Sequence, residues 1–402
     1  MTAPDLAVER LGADYFADPY SVHARLRAQR PVTPVVMPGG PGAWLITGYA
    51  EARAALADPR LSKHMPGWHP EPDSIIAALD LHMLNSDPPD HERLRKLVNK
   101  AFTARRVERL RPRITAITAG LLEDMSPHSG QRDQAEVDLL ASFAFPLPIT
   151  VICELLGIPV GDRDDFRKWS ATIVSNAAAP EVFQAHATEM ARYFMALLAA
   201  KRREPADDLL SALVAARDEE DSLSENELVS MTFLLLVAGH ETTVNLIASG
   251  VLALLLNPAE LARLRAEPAL IGGAVEELLR YVNPVNHTTF RCAAEPVEIG
   301  GVRISRGDPV LVALSGANRD PARFGDPDRL DLGRDGAGHL AFGHGIHYCL
   351  GAPLARLEAE IAFSGLLARF GSIRLAVPAT SLRWRPSTLI HGLESLPVRL
   401  AP

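Results

Sequence analysis

Three cysteines in 402 residues, Cys153, Cys292 and Cys349, are too few and too scattered for a disulfide framework, and they point to a reducing compartment. Lysine is nearly as scarce, supplying 5 of the 41 basic residues, a bias toward arginine that we read as genomic rather than functional. Positive charge is not in excess. The formal net charge is −8, which argues against general nucleic-acid binding. No basic-then-apolar signal segment follows Met1. The longest apolar stretch, 231–256, is interrupted by His240, Glu241 and Asn245, and a membrane span does not readily tolerate that. Repeats and low-complexity linkers are missing too. What is present is 47% hydrophobic residues at a mean hydropathy of +0.04, enough for the sizeable core of a globular protein. Length alone suggests two or three ordinary domains.

Along the chain, a helix is expected over 22–29, then a hairpin with arms 34–37 and 43–46 around Pro-Gly-Gly-Pro-Gly, then a helix over 50–56. Residues 64–84 carry Pro66, Gly67, Trp68, Pro70 and Pro72 with little periodicity. They read as a long loop with at most a short helix, and loops of that length are usually functional. Helical periodicity dominates 90–124 and most of 136–285, with breaks expected at Pro148, Pro159, Pro180 and Pro205. The segment 297–304 reads as a tight hairpin around Gly300-Gly301, with further strands near 309–313 and in the tail. The expectation is a mainly α protein with a smaller β-rich lobe, strand-rich near 33–47, 286–315 and 375–400.

Cys349 lies in Phe342-Gly343-His344-Gly345-Ile346-His347-Tyr348-Cys349-Leu350-Gly351, just ahead of a helical run from Pro353. Free N–H groups at a helix start favour a thiolate, and Gly343, Gly345 and Gly351 let the backbone approach something large and flat. A soft thiolate binds iron, although a free cysteine is more often simply core. The second signal is Leu236-Val237-Ala238-Gly239-His240-Glu241-Thr242-Thr243 inside an apolar helix. A buried carboxyl is costly unless paired or hydrated, and a threonine hydroxyl can capture a carbonyl one turn back. Together with Gly239 this describes a kinked helix with a small polar notch. Glu277 and Arg280, three apart on one helix face, form a pair that is weak on its own.

The two motifs resemble those of the cytochrome P-450 family. Its haem loop, Phe-x-x-Gly-x-His/Arg-x-Cys-x-Gly, is matched at Phe342, Gly345, His347, Cys349 and Gly351. Its oxygen-activation motif, Ala-Gly-x-Glu/Asp-Thr, is matched at Ala238, Gly239, Glu241 and Thr242, and its Glu-x-x-Arg helix at Glu277 and Arg280. The resemblance runs from Trp44 to about Pro397. It implies one domain over 1–402, with haem b (iron protoporphyrin IX) sandwiched between a long kinked central helix and the cysteine-loop helix. By that resemblance Cys349 is the metal ligand. Ala238, Phe342, Gly343 and Gly351 border the cofactor, while His91, Arg95, Arg291 and His347 clamp its propionates. Thr242 bonds dioxygen or a water beside it, Glu241 feeds protons from solvent, and the Glu277–Arg280 pair is structural.

The resemblance also implies that Val237, Val285, Asn286, His287, Thr288, Leu389 and Ile390 line a substrate pocket. The polar Asn286, His287 and Thr288 hint at a substrate with oxygen functions, although they could equally bond one another or a propionate. The implied reaction inserts one atom of O2 into a mid-sized lipophilic secondary metabolite, by hydroxylation or epoxidation. Electrons would come from NAD(P)H through a separate ferredoxin reductase and a small acidic ferredoxin. The basic run 93–113, with nine Lys and Arg residues against Glu108, is the expected dock, although most charge runs are only solvated faces. A cytoplasmic protein without membrane or nucleic-acid partners is expected. Two rivals remain: a peroxide-driven peroxygenase on the same fold, and a haem-free docking module, which would tend to lose the cysteine.

Overall fold

The protein is described here from a computed structural model covering residues 7–65, 74, 77–102, 104–126, 135–217, 223–335 and 337–402. Its axis is one helix, Glu225–Leu256, hereafter the central helix. Ser224 Oγ accepts from the Glu227 N–H at 3.2 Å and Glu227 Oε2 accepts from the Ser224 N–H at 2.7 Å, a reciprocal cap that fixes where it starts. Apolar on nearly every side, it is the one described helix long and apolar enough to cross a membrane, and most of it is buried inside the protein. Helices Ala77–Asp80, Pro146–Leu156, Pro180–Arg203, Ile271–Val282 and Ala352–Arg369 pack around it. Gly239 and Gly250 permit close approaches, since a Cβ would stand 2.8 Å from Ile152 Cδ1 at the first and 2.6 Å from Phe363 Cζ at the second.

Elsewhere among the described residues the α-helices are Pro19–Gln29, Tyr49–Ala57, Asp90–Ala101, Ala104–Glu108, Arg111–Asp124, Arg163–Ile173, Leu209–Arg217, Pro258–Ala266 and the short Leu314–Ala317. Pro159, Pro180 and Pro205 stand at helix boundaries, as their missing N–H requires. Pro148 does not break anything. It sits in the first turn of Pro146–Leu156, where its N–H would have had no partner, and a π-helical turn at Leu140–Ala144 precedes it. The expected 64–84 loop contributes the short helix Ala77–Asp80, while Pro66, Gly67, Trp68, Pro70 and Pro72 lie outside the described residues.

The β-rich lobe holds a six-stranded sheet in the order Glu9–Arg10, Val32–Val36, Gly42–Ile46, Pro309–Val312, Arg291–Ala293, Leu61–Ser62. The expected first hairpin pairs Val32 with Ile46 and Val36 with Gly42. The hairpin Val297–Ile299/Val302–Ile304 turns on Gly300 and Gly301, both at positive φ. A three-stranded sheet joins Ser372–Leu375, Pro397–Ala401 and Ala135–Asp138, which brings the tail back across the helical part.

Candidate active site

Cys349 closes a loop whose shape its glycines impose. Gly343 and Gly345 have φ of 72° and 74°, and a Cβ on Gly345 would lie 2.8 Å from Leu56 O, so a side chain there would collide with backbone. A 3-10 turn spans Gly345–His347, the Cys349 N–H donates to Phe342 O at 2.9 Å, and helix Ala352–Arg369 begins directly after Gly351. Cys349 keeps an open surface, yet the atoms packed around it push its thiol up; the Gly351 and Ala352 amides and the charges of Arg95 and Arg356 pull it back only in part. Phe342 is buried under the Arg356 guanidinium, 4.5 Å from the ring centre, and Arg356 is fixed by Glu276 at 2.6 and 2.9 Å.

Beside the loop, the helix Asp90–Ala101 brings His91 and Arg95 against it, one turn apart. The His91 and His347 rings are 4.5 Å apart, and Arg95 Nη2 donates to Tyr348 O at 2.7 Å. Strand Arg291–Ala293 delivers Arg291 to the same place, buried and bonded only to Leu61 O at 3.3 Å. A further basic group, not foreseen from the sequence, is Lys63, which is buried and tied through Nζ to Thr289. Burial first, then the charges of Lys63, Arg291, His91 and Arg95, hold His347 down to about 2. The cluster is short of anions: both His91 ring nitrogens and Arg291 Nε are buried without partners, and Asp87 is already bonded to Ser62 and the Lys63 N–H. An array of that kind fits the two propionates of haem, with Cys349 available to its metal.

The central helix carries a notch of its own. Ala238 is exposed although most of the helix is buried, and Val237, Gly239 and Thr242 flank it half-buried. The helical assignment is unbroken here, and the carbonyl capture expected of threonine occurs: Thr242 Oγ1 donates to Ala238 O at 2.9 Å. Glu241 turns elsewhere. Its Oε2 accepts from Arg385 Nη2 at 3.1 Å, and its Oε1 lies 3.7 Å from His240 Nε2, which meets Ser170 Oγ at 3.0 Å. Burial pushes the Glu241 carboxyl up, but Arg385, His240 and Ser170 together win and hold it below the usual carboxylate range. Asn245 shares the same guanidinium at 3.1 Å. Arg385 and Ser170 come from segments far away in sequence, and no local pattern marks them.

Glu277 and Arg280 are both fully buried and meet through two bonds of 2.7 and 2.8 Å. Arg280 also donates to the carbonyls of Asn318 and Pro327, and Glu277 accepts from the Asp331 N–H and Arg334 Nε. The pair thereby ties down the 318–334 chain. Among the expected pocket residues, Val285 and Ile390 pair across an antiparallel bridge, with Leu389 half-buried beside them. Thr288 is held by Val312, its N–H on Val312 O at 3.0 Å. Asn286 and His287 depart from expectation. Both are buried, with Asn286 on Tyr15 and Ser315 and His287 on Tyr15 and Thr388 O, so they face protein rather than a ligand, and the hint of an oxygenated substrate loses its basis. Of the basic run, Arg93 pairs with Glu227, Arg111 with Glu108 and Arg113 with Glu154. Lys96, Arg105 and Arg109 are exposed, and Lys96 lines a surface depression together with Gly345 and the exposed Ile346.

A thiol in a glycine loop beside basic groups short of anions, with a polar notch in the buried central helix, defines a haem-thiolate protein. The chain belongs to the cytochrome P450 family, whose model matches residues 36–378. It is 52% identical to Cytochrome P450 107B1 of Saccharopolyspora erythraea over 96% of each chain. It is 51% identical to the cytochrome P450 monooxygenase PikC of Streptomyces venezuelae, covering 98% of this chain and 94% of that one. The tirandamycin C-bound P450 monooxygenase TamI superposes with a TM-score of 0.90 at 52% identity, covering 98% of this chain and 100% of that one. The chain is a cytochrome P450 monooxygenase, and its cofactor is haem.

Proposed function

We propose that this enzyme hydroxylates or epoxidises a mid-sized lipophilic secondary metabolite, acting as one structural unit in the cytoplasm. The observation that carries this reading is the meeting of the Cys349 loop with the sequence-distant cluster Lys63, His91, Arg95, Arg291 and His347; the notch at Ala238 and Thr242 adds the hydroxyl that such chemistry uses. Relatives named 6-deoxyerythronolide B hydroxylase (46% identical) and mycinamicin IV hydroxylase/epoxidase (46% identical) support the substrate class. Electrons would come from NAD(P)H through a separate reductase and an acidic ferredoxin. The exposed Lys96, Arg105 and Arg109 favour that partner by charge.

Bound haem supplies the dioxygen activation and the oxidising power of the reaction. Cys349 would ligate its metal and His91, Arg95, Arg291 and His347 its carboxylates, with Lys63 adding charge. Thr242 holds a hydroxyl at the notch, oriented by its bond to Ala238 O. Glu241, turned toward Arg385, has to leave that partner before it can serve the notch. Apolar Val237, Val285, Leu389 and Ile390 exclude water from the substrate side. The test is optical. Reduced protein under carbon monoxide should show the red-shifted thiolate band, and Cys349→Ala should abolish it. A band that survives, or wild-type protein that stays colourless when haem is supplied, would overturn the reading. Addition of macrolide or related polyketide candidates should shift the ferric spin state.

A further inference from the structure

Asn286 and His287 serve a different purpose from the one expected of them, and Thr388 shows what it is. On one side the Thr388 N–H and hydroxyl both donate to Asn176 Oδ1, at 2.8 and 3.2 Å. The Asn176 N–H donates to Pro386 O at 2.8 Å, and Ser387 Oγ donates to Val174 O at 2.5 Å. These four bonds clasp the tail to the 174–179 connection, which joins helices Arg163–Ile173 and Pro180–Arg203. On the other side, Thr388 O lies 2.6 Å from His287 Nδ1.

From that carbonyl the proton positions follow in order. A carbonyl only accepts, so His287 Nδ1 carries the hydrogen and Nε2 of the neutral ring is bare. The Tyr15 hydroxyl, 2.7 Å from that Nε2, therefore donates to it. His23 Nε2, also 2.7 Å from the Tyr15 oxygen, must then be a donor, and Asn286 Nδ2 donates to the same oxygen at 3.3 Å. Burial holds His287 down to about 4 and keeps His23 well below the usual imidazole range, so both stay neutral near pH 7 as this order requires. Tyr15, His23 and His287 are each at most 1% exposed, so removing one hydroxyl would leave buried groups bare. The next residues, Leu389 and Ile390, pair with Asn286 and Val285: the Asn286 N–H donates to Leu389 O at 2.8 Å.

We propose that His287, held by Tyr15, is a positioning residue that sets both the 388–390 wall and the clasp on the 174–179 connection, so that an N-terminal segment which never meets the substrate governs how firmly a ligand is retained. Only the retention half rests on the pocket reading given above. The clasp needs no substrate.

The test is hydrogen exchange of the full haem-loaded chain, with the dissociation rate of 4-phenylimidazole as a second measurement. Tyr15→Phe should speed exchange of the Asn176 and Thr388 amides by about five- to tenfold, the weight of roughly one neutral hydrogen bond, and leave Ala352–Arg369 unchanged. Asn176→Ala, at an exposed position where folding is not at risk, should raise Thr388 exchange similarly, and both variants should release the azole several-fold faster. Exchange that quickens only around Tyr15, or evenly everywhere, would refute the clasp. Altered exchange with unchanged dissociation would refute control of retention. Failure of wild-type protein to bind the azole optically would count against the haem reading, while the exchange result would still decide the clasp.

Discussion

Replacing Arg385 by Met isolates the charge that keeps Glu241 ionised. In the wild type, burial raises the carboxyl, but Arg385, His240 and Ser170 together outweigh it and leave it below the ordinary range. Such a group contributes stability above its unfolded value, about 4.3, and loses it as pH falls through the lowered folded value. Without Arg385 burial dominates and the sign reverses. The folded chain then holds the proton more tightly than the unfolded one, and stability declines as pH rises from about 4.3 through the raised value. His240 offers no full replacement for the guanidinium, because burial pulls its imidazole below the usual range. The Arg385 side chain is 21% exposed and that of Glu241 6%, so the pair lies between exposed and buried limits. Its loss should cost about 2–3 kcal/mol at pH 8, shrinking toward pH 5. Urea unfolding of the haem-loaded protein at the two pH values measures this directly. Adding Glu241→Gln to the variant should restore most of the loss, since no buried charge is left unpaired. Equal losses at both pH values, or no recovery in the double variant, would refute the reasoning.

Other outcomes follow from the same geometry. Thr242→Ala removes the hydroxyl at the notch and should divert NAD(P)H equivalents to peroxide or water, read as a fall in product formed per equivalent consumed; unchanged coupling would remove its assigned role. Glu277→Gln leaves the fully buried Arg280 without its charge partner and should cost about 3–5 kcal/mol, seen as a lower urea midpoint together with weaker haem retention. Lys96→Glu with Arg105→Glu should weaken ferredoxin binding and flatten its dependence on salt, while the carbon monoxide band stays intact. If binding and salt slope do not change, those residues are only a solvated face.

Much of the catalytic centre was readable because its parts are contiguous. Gly343, Gly345 and Cys349 must be adjacent to make the loop, and Ala238, Gly239 and Thr242 must share two turns of helix to make the notch, so their chemistry leaves a local pattern. The hairpin at 297–304 was legible for the same reason, since its turn residues dictate its register. Pro148 misled because a proline looks the same in a helix's first turn as at its end, and only the preceding chain direction separates the two.

The chain itself determined its long apolar helix, its cysteine loop and the adjacency of Glu241 and Thr242, since each depends on neighbours within about ten residues. Tertiary structure alone decided which partner each side chain meets. Arg385 reaches Glu241 across 144 positions, and Tyr15 reaches His287 across 272. Lys63 joins the cation cluster from a strand edge with no motif around it. The direction in which Asn286 and His287 face was settled the same way. A buried polar atom takes the nearest group able to satisfy it, and that proximity is created by packing, not by sequence distance.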